Sequence, residues 1–400
     1  MNVADLYRSP NALAPYYSRF RVEDRLLLTG HSHQAWPDVG LDAHQQAWLD
    51  AAEHVDDKWD LAFERADRVR AGFARLLDDS EGDIALGANT HELVVRLLSA
   101  LPLGERPRIV TTDGEFHTLR RQLDRHAEEG LEIVRVTAEP LDTVAARLAD
   151  AIDGRTALTA VSSVFFRSAR IVPGLAEVAA VCRQRGAAFL VDAYHSLDVV
   201  PFSIPAMGLQ DAFVVGGGYK YCQLGEGNCF LRLPPGCELR PVVTGWFAEF
   251  DLLSHRHDPK RGVAYGAGPA RFAGSTYDPT SHYRAAAVFD FFEQRGLEPE
   301  LLRRVSQHQV GRLIAGFDGL DLDPAVIDRD RDIETEEIAG FLVLNAPRAG
   351  DICGALRDRG VLSDYRGETL RLGPAPYLSD EQLDAAMEVL GEVVSQLAGA

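Results

Sequence analysis

The stretch Asp211–Phe230, DAFVVGGGYKYCQLGEGNCF, decides the fold. Ala212–Val215 is an apolar run that breaks into three glycines. A single lysine, Lys220, follows between Tyr219 and Tyr221, inside a second turn that holds Gly225-Glu226-Gly227. Lysine is ordinarily a solvated surface charge; behind a buried strand, desolvation depresses its pKa and leaves a nucleophilic amine. These residues alone leave two readings open: a lysine that forms a Schiff base with a carbonyl cofactor, or a loop lysine with its head in water.

Working outward, the middle of the chain alternates strand and helix. Strands are expected at Arg108–Thr112, Ile133–Thr137, Ala157–Ser162, Ala188–Asp192, Ala212–Gly216 and Cys229–Leu233, separated by amphipathic stretches such as Leu141–Ala151 and Leu175–Arg185. Near-continuous apolar runs fit strands buried on both faces, hence an α/β class with a mostly parallel sheet. Ligands of such sheets sit at the carboxyl ends of the strands. Phe116, Arg167 and Asp192 fall there. Asp192 either caps a helix or holds a protonated pyridine nitrogen, with His195 three residues on; its position 28 residues before Lys220, at another strand end, favours the second.

Upstream, Asn89 and Glu92 have capping-box spacing ahead of the apolar stripe Leu93, Val94, Leu97, Leu98 and Leu101. A helix start carrying Asn89 and Thr90 offers free backbone N–H groups and the positive dipole end, a local anion site. Leu41–Leu77 has helical spacing, and the first fifty residues read as a helical arm holding Thr29-Gly30-His31-Ser32-His33-Gln34-Ala35-Trp36-Pro37. His31 and His33 have no acid or cysteine at a metal-like spacing, so no metal site is expected. Beyond Pro234 periodicity fades through a polar, glycine-rich stretch to Gly274, read as an active-site loop. Helices and strands then alternate to the end in a compact α+β unit.

Composition bounds the function. The 400 residues are 46% apolar and 25% charged, enough for a sizeable core. A net charge of -19, from 60 acidic against 41 basic residues, opposes nucleic-acid and membrane-surface binding. The five cysteines form no C-x-x-C pair, and no apolar run reaches membrane-span length, so a reduced cytoplasmic protein is expected.

The assembled pattern resembles the class V aminotransferase group of fold-type I pyridoxal phosphate (PLP) enzymes, and within it the kynureninase branch. The residues that carry the resemblance are Tyr219-Lys220-Tyr221 with Gly225-Glu226-Gly227, then Gly245-Trp246-Phe247, and the block from Arg359-Gly360-Val361 through Asp364-Tyr365-Arg366 to Leu370-Arg371-Leu372-Gly373-Pro374-Ala375-Pro376. The resemblance implies a seven-stranded-type sheet in a large cofactor domain over 51–290, a small α+β domain over 291–400 and an arm over 1–50 that joins the small domain and the site. It implies Lys220 as Schiff-base lysine and proton shuttle, Asp192 on the pyridine nitrogen, and His195 beside the ring or its phenolic oxygen. Phe116 would stack on the ring, and Asn89, Thr90, Tyr219 and a second subunit's Thr276 would cradle the phosphate. Arg371 would grip the substrate carboxylate, with Trp246 and Ser32 walling the pocket of a homodimer whose sites lie at the interface. His31, His33 and Tyr219 are the acid/base candidates for cleaving a Cβ–Cγ bond in a kynurenine-type amino acid; transamination or another lyase reaction on another amino acid is the alternative, with a non-catalytic protein of the PLP fold as a third reading. Departures lie on the substrate side: kynureninases carry Asn and Leu in place of His31 and His33, and an aspartate in place of Leu119, which Arg120 follows.

Overall fold

The computed structural model describes residues 1–253 and 262–398. In chain order the elements are β1 (Leu26–Leu27), α1 (Val39–His54), α2 (Lys58–Leu76), β2 (Asp83–Gly87), α3 (Thr90–Ala100), β3 (Arg108–Thr112), α4 (His117–Glu128), β4 (Glu132–Val136) and α5 (Val144–Ala151). They continue with β5 (Thr156–Ser162), α6 (Leu175–Arg185), β6 (Ala188–Asp192), β7 (Phe213–Gly217), β8 (Cys229–Leu233), α7 (Thr280–Arg295) and α8 (Pro299–Gly319). The last are β9 (Leu342–Asn345), α9 (Ala349–Asp358), β10 (Val361–Leu362), β11 (Asp364–Arg366), β12 (Thr369–Leu372) and α10 (Asp380–Ala398).

Seven strands form the central sheet in the order β2-β8-β7-β6-β5-β3-β4. Strands β3 to β7 run parallel, and β8 and β2 are antiparallel to their neighbours. The strand-forming residues are the apolar runs read from the sequence: every residue of β5, β7 and β8 is buried, as a sheet covered by helices on both faces requires. The register sets Ser162 beside Asp192, and Asp192 beside Val215, along one carboxyl edge. Lys220 follows β7 at that edge. The triglycine is there for close approach: a Cβ on Gly217 would overlap Cys229 and the Tyr194 hydroxyl, and one on Gly218 would overlap Leu224. Gly225 and Gly227 take φ of +68° and +86°, which glycine adopts without strain.

Strand β2, the arm and the short strands β10 and β11 differ from the sequence reading. Strand β2 was not expected, because its three apolar residues between Asp83 and Gly87 show no alternation; it forms as an antiparallel edge on β8. The arm is helical only from Val39. Before that it makes 3-10 turns at Val3–Leu6, Ala14–Tyr17 and Val22–Asp24, since Pro10, Pro15 and Pro37 interrupt any longer helix. The arm is fastened to the C-terminal elements instead: β1 pairs with β10, and the Gly30 N–H donates to the Gly373 carbonyl at 2.7 Å. Of the glycine-rich stretch before Gly274, residues 254–261 lie outside the described residues.

One buried ion pair joins the sheet to the loop after α2. Arg232 lies within β8 and is fully enclosed; its Nε donates to Asp79 at 2.6 Å and its Nη1 to the carbonyls of Gln210 and Ala212. Removing one partner strands the other charge in the interior. Asp79→Ala therefore costs about 3 kcal/mol, read as a lower midpoint in urea with an unchanged slope.

Candidate active site

Lys220 is 7% exposed. Its Nζ lies 3.0 Å from His195 Nε2 and donates to the His31 carbonyl at 3.4 Å. The rings of Tyr219, Tyr194 and Phe116 stand 5.3, 5.4 and 5.8 Å from that nitrogen. Burial, then the positive charge of Arg371, push the amine down to about 7, with Asp192 and Asp364 opposing. The reading of a solvated loop lysine is thereby set aside: near neutrality a large share of the amine is unprotonated and able to attack a carbonyl.

Asp192 ends β6 on the same edge. One carboxylate oxygen accepts the Tyr194 N–H at 2.9 Å; the other has no hydrogen-bond partner among the described residues. Burial raises this carboxyl to about 6, so it is ready for a cation that compensates it. Behind it lies Glu115, which accepts from Thr112 Oγ1 and Ser162 Oγ, both at 2.6 Å, and is pushed up to about 7, chiefly by burial. His195, buried on the cavity wall, is held well below its ordinary pKa by burial and by Lys220, and its Nδ1 has no partner among the described residues.

These groups open into a cavity of about 1090 Å³ whose wall includes Asn89, Thr90, Phe116, Asp192, Tyr219 and Lys220. Asn89 caps α3: its Oδ1 accepts the Glu92 N–H at 2.9 Å, and the extended backbone at Asn89 turns the first N–H groups of α3 outward. That leaves an anion seat at one end of the cavity. Tyr219 is held by ring stacking on His33, 4.9 Å away, and burial pushes its hydroxyl up to about 12. It stays a neutral donor across the physiological range.

The remaining sequence-predicted residues lie elsewhere. His31 is completely buried, its Nε2 2.8 Å from Asp364, and burial brings it down to about 4; it is not on the cavity wall. Ser32 bonds to His33 at 3.0 Å, and His33 is an exposed residue whose Nε2 is 3.7 Å from Glu226. Arg371 is 3% exposed. Its Nε and Nη2 hold both oxygens of Asp364, at 2.8 and 2.5 Å, and its Nη1 donates to the Phe166 carbonyl at 2.6 Å. The expected carboxylate grip is thus taken up inside the protein. Trp246 donates to Thr276 Oγ1 at 3.2 Å, and Thr276 lines a second cavity of about 1080 Å³. Within one chain these two do not meet Lys220; the two cavities share Ala88, Glu226 and Gly227.

Three residues of the site escaped the sequence reading. Tyr194 stands over Lys220 with its hydroxyl 3.7 Å from Cys229, Phe166 packs edge-on against Phe116 at 5.2 Å, and Glu115 braces Ser162. Each is adjacent to a residue that was singled out, at a strand end, and that adjacency was the available signal.

No family model matches the chain. It is 23% identical over 349 residues to the uncharacterized aminotransferase YcbU of Bacillus subtilis, covering 86% of this chain and 88% of the other. It is 24% identical over 378 residues to a kynureninase of Bacillus cereus, with 88% and 83% covered. A probable cysteine desulfurase of Methanothermobacter thermautotrophicus is 22% identical over 359 residues, with 84% and 85% covered. The fold is shared with the cysteine desulfurase of Thermococcus onnurineus at a TM-score of 0.76 and 19% identity, over 93% of this chain and 95% of that one. It is shared too with the cystine C-S lyase C-DES, whose complex with cysteine persulfide aligns at 0.78 and 16%, over 93% and 98%. The architecture is that of fold-type I, and the sequence likeness runs to the kynureninase-like enzymes of the class V group.

Proposed function

We propose that this PLP-dependent enzyme acts on an L-amino acid and hydrolyses the Cβ–Cγ bond of a kynurenine-type β-acyl alanine. The observation that carries the reading is the convergence of a buried amine of lowered pKa, Lys220, with a half-satisfied, partly buried acid, Asp192, in one cavity that ends at the N-terminus of α3. These residues fit the cofactor. Lys220 would hold its carbonyl carbon, Asp192 its ring nitrogen, Phe116 a ring face, and Asn89 and Thr90 its phosphate. When bound, PLP withdraws electrons from the substrate Cα and so acidifies it.

The chain's own residues then have defined tasks. Lys220 moves the Cα proton, and its lowered pKa lets it act as a base near neutrality. Asp192, paired with a positive ring nitrogen, keeps that nitrogen protonated. His195, uncharged beside Lys220, takes or offers a hydrogen bond without adding a positive charge. Tyr219 is the acid/base candidate on the wall for the γ-carbonyl and its water; His31, buried against Asp364, serves instead to position Arg371 through that shared carboxylate. The rings of Phe116 and Phe166 offer an apolar surface for an acyl or aryl group.

Sulfur transfer is less well supported: Cys229, on the cavity wall, is pushed up to about 12 by burial, and Cys353 is buried in α9 against Ser363. The proposal includes a cytoplasmic homodimer in which each Lys220 cavity is closed by Trp246 and Thr276 of a second copy. No helix among the described residues is long and apolar enough to cross a membrane. Incubation with kynurenine and 3-hydroxykynurenine tests the reaction. Release of fluorescent anthranilate or its hydroxylated counterpart is expected. A protein that carries bound PLP and releases neither product refutes the hydrolysis, and conversion of the cofactor to pyridoxamine phosphate would point to transamination.

A further inference from the structure

Glu115 is an enclosed acid that the proposed chemistry leaves without a task. It is 3% exposed and stands behind the wall of the Lys220 cavity rather than on it. A carboxyl is costly to enclose unless its oxygens are satisfied, and here they are. Oε1 accepts from Thr112 Oγ1 at 2.6 Å and from the Ser162 N–H at 3.2 Å, and Oε2 accepts from Ser162 Oγ at 2.6 Å. All three donors stand at strand ends: Thr112 closes β3 and Ser162 closes β5.

Those bonds join two parts of the site that are far apart in sequence. On one side, Glu115 directly precedes Phe116, whose extended backbone starts α4. On the other, Ser162 lies on the cavity wall as the register partner of Asp192, and the N–H of Ser163 donates to the Asp192 carbonyl at 2.9 Å. The turn from Thr112 to Glu115 is itself held in place. The Gly114 N–H donates to Thr112 Oγ1 at 3.2 Å, Asp113 Oδ1 accepts the Ala138 N–H at 2.7 Å, and a Cβ on Gly114 would overlap the Phe165 ring. The link from Glu115 to Ser162 therefore fixes the Phe116 ring relative to the Asp192 carboxylate across the adjacent strands β3, β5 and β6.

We infer that Glu115 is a positioning residue for the cofactor: by tying Thr112 to Ser162 it sets the spacing between the Phe116 ring and the Asp192 carboxylate, the slot that would receive the pyridine ring. The inference rests on the proposed placing of that ring between Phe116 and Asp192, and adds the group that holds the two apart. Groups that meet a ring face and a ring nitrogen must themselves be locked by hydrogen bonds behind them, and a misplacement of about 1 Å costs roughly 10²-fold in rate. The task needs an acceptor of this length rather than a charge. In Glu115→Gln the amide oxygen still serves Thr112 and the Ser162 N–H, and its NH₂ donates to the Ser162 hydroxyl, which accepts as readily as it donates.

The test uses PLP and no substrate. The parent protein, Glu115→Ala, Glu115→Gln and Ser162→Ala are compared by PLP affinity, by the visible circular dichroism of the bound cofactor, which reports the orientation of its ring, and by urea midpoint. Glu115→Ala is expected to bind PLP at least about tenfold more weakly and to lose most of the visible dichroic band, while Glu115→Gln recovers most of both. Ser162→Ala, which removes one of the three bonds, gives a smaller loss of the same kind, and adding it to Glu115→Ala brings no further loss. Parent-like affinity and dichroism in Glu115→Ala, with only the urea midpoint lowered, overturns the inference and leaves Glu115 a residue of the fold. A Glu115→Gln variant as impaired as Glu115→Ala overturns the tether in favour of the charge. Should Glu115→Ala fail to fold, Ser162→Ala decides by the same two spectroscopic and binding readouts: parent-like values overturn the tether. Because no substrate enters, a failed hydrolysis assay leaves a demonstrated tether standing, and loss of the tether leaves the hydrolysis assay to decide the reaction.

Discussion

Lys220→Ala abolishes covalent capture of PLP and lowers turnover by roughly 10³-fold or more, because both the amine that holds the carbonyl and the base that moves the Cα proton are lost. The substitution removes a buried amine that makes no ion pair among the described residues, so folding is retained. In the parent protein the rate of capture rises as the pH passes upward through about 7, where the buried amine becomes neutral; an unperturbed lysine would need a pH near ~10.4. Linkage gives a second sign. The folded pKa is below the unfolded one, so the unfolded chain binds more protons between about 7 and 10.5, and the cofactor-free fold gains stability as the pH rises through that window. Stopped-flow absorbance and urea titrations at several pH values check both.

Asp192→Asn separates activity from stability. An amide cannot hold a proton on the ring nitrogen, and loss of one preorganised electrostatic partner costs roughly 10²–10³-fold in turnover. The same change relieves a buried carboxyl that burial has raised to about 6, and the amide oxygen still accepts the Tyr194 N–H. Above pH 6 the cofactor-free variant is therefore more stable than the parent, while the holoenzyme is slower. A drop in both would place Asp192 in the framework of the fold. Thermal melts of the cofactor-free protein beside steady-state rates make the comparison.

Most strands of the central sheet were legible because each is a short, nearly unbroken apolar run bounded by turn residues: Arg108–Thr112, Ala188–Asp192 and Cys229–Leu233 fall where the sequence puts them. Strand β2 was not, because an edge strand takes its order from pairing with β8 rather than from its own pattern. In the site, Lys220, Asp192, Phe116 and the Asn89 cap could be read because strand ends and helix starts are local features. Arg371 could be named but its partner could not: Asp364 is seven residues away in sequence, and only the antiparallel pairing of β11 with β12 brings them face to face. His31 looked like a pocket residue for the same reason. Its burial depends on the tie between Gly30 and Gly373, which residues so distant in sequence do not announce.

The chain has three lysines, Lys58, Lys220 and Lys260, so one experiment bears directly on the central claim. The purified protein, loaded with PLP, is reduced with borohydride, digested and mapped by mass spectrometry. A pyridoxyl phosphate adduct on the peptide carrying Lys220, and on that peptide alone, is the predicted result. An unmodified Lys220, or an adduct on Lys58 or Lys260 in its place, would contradict it.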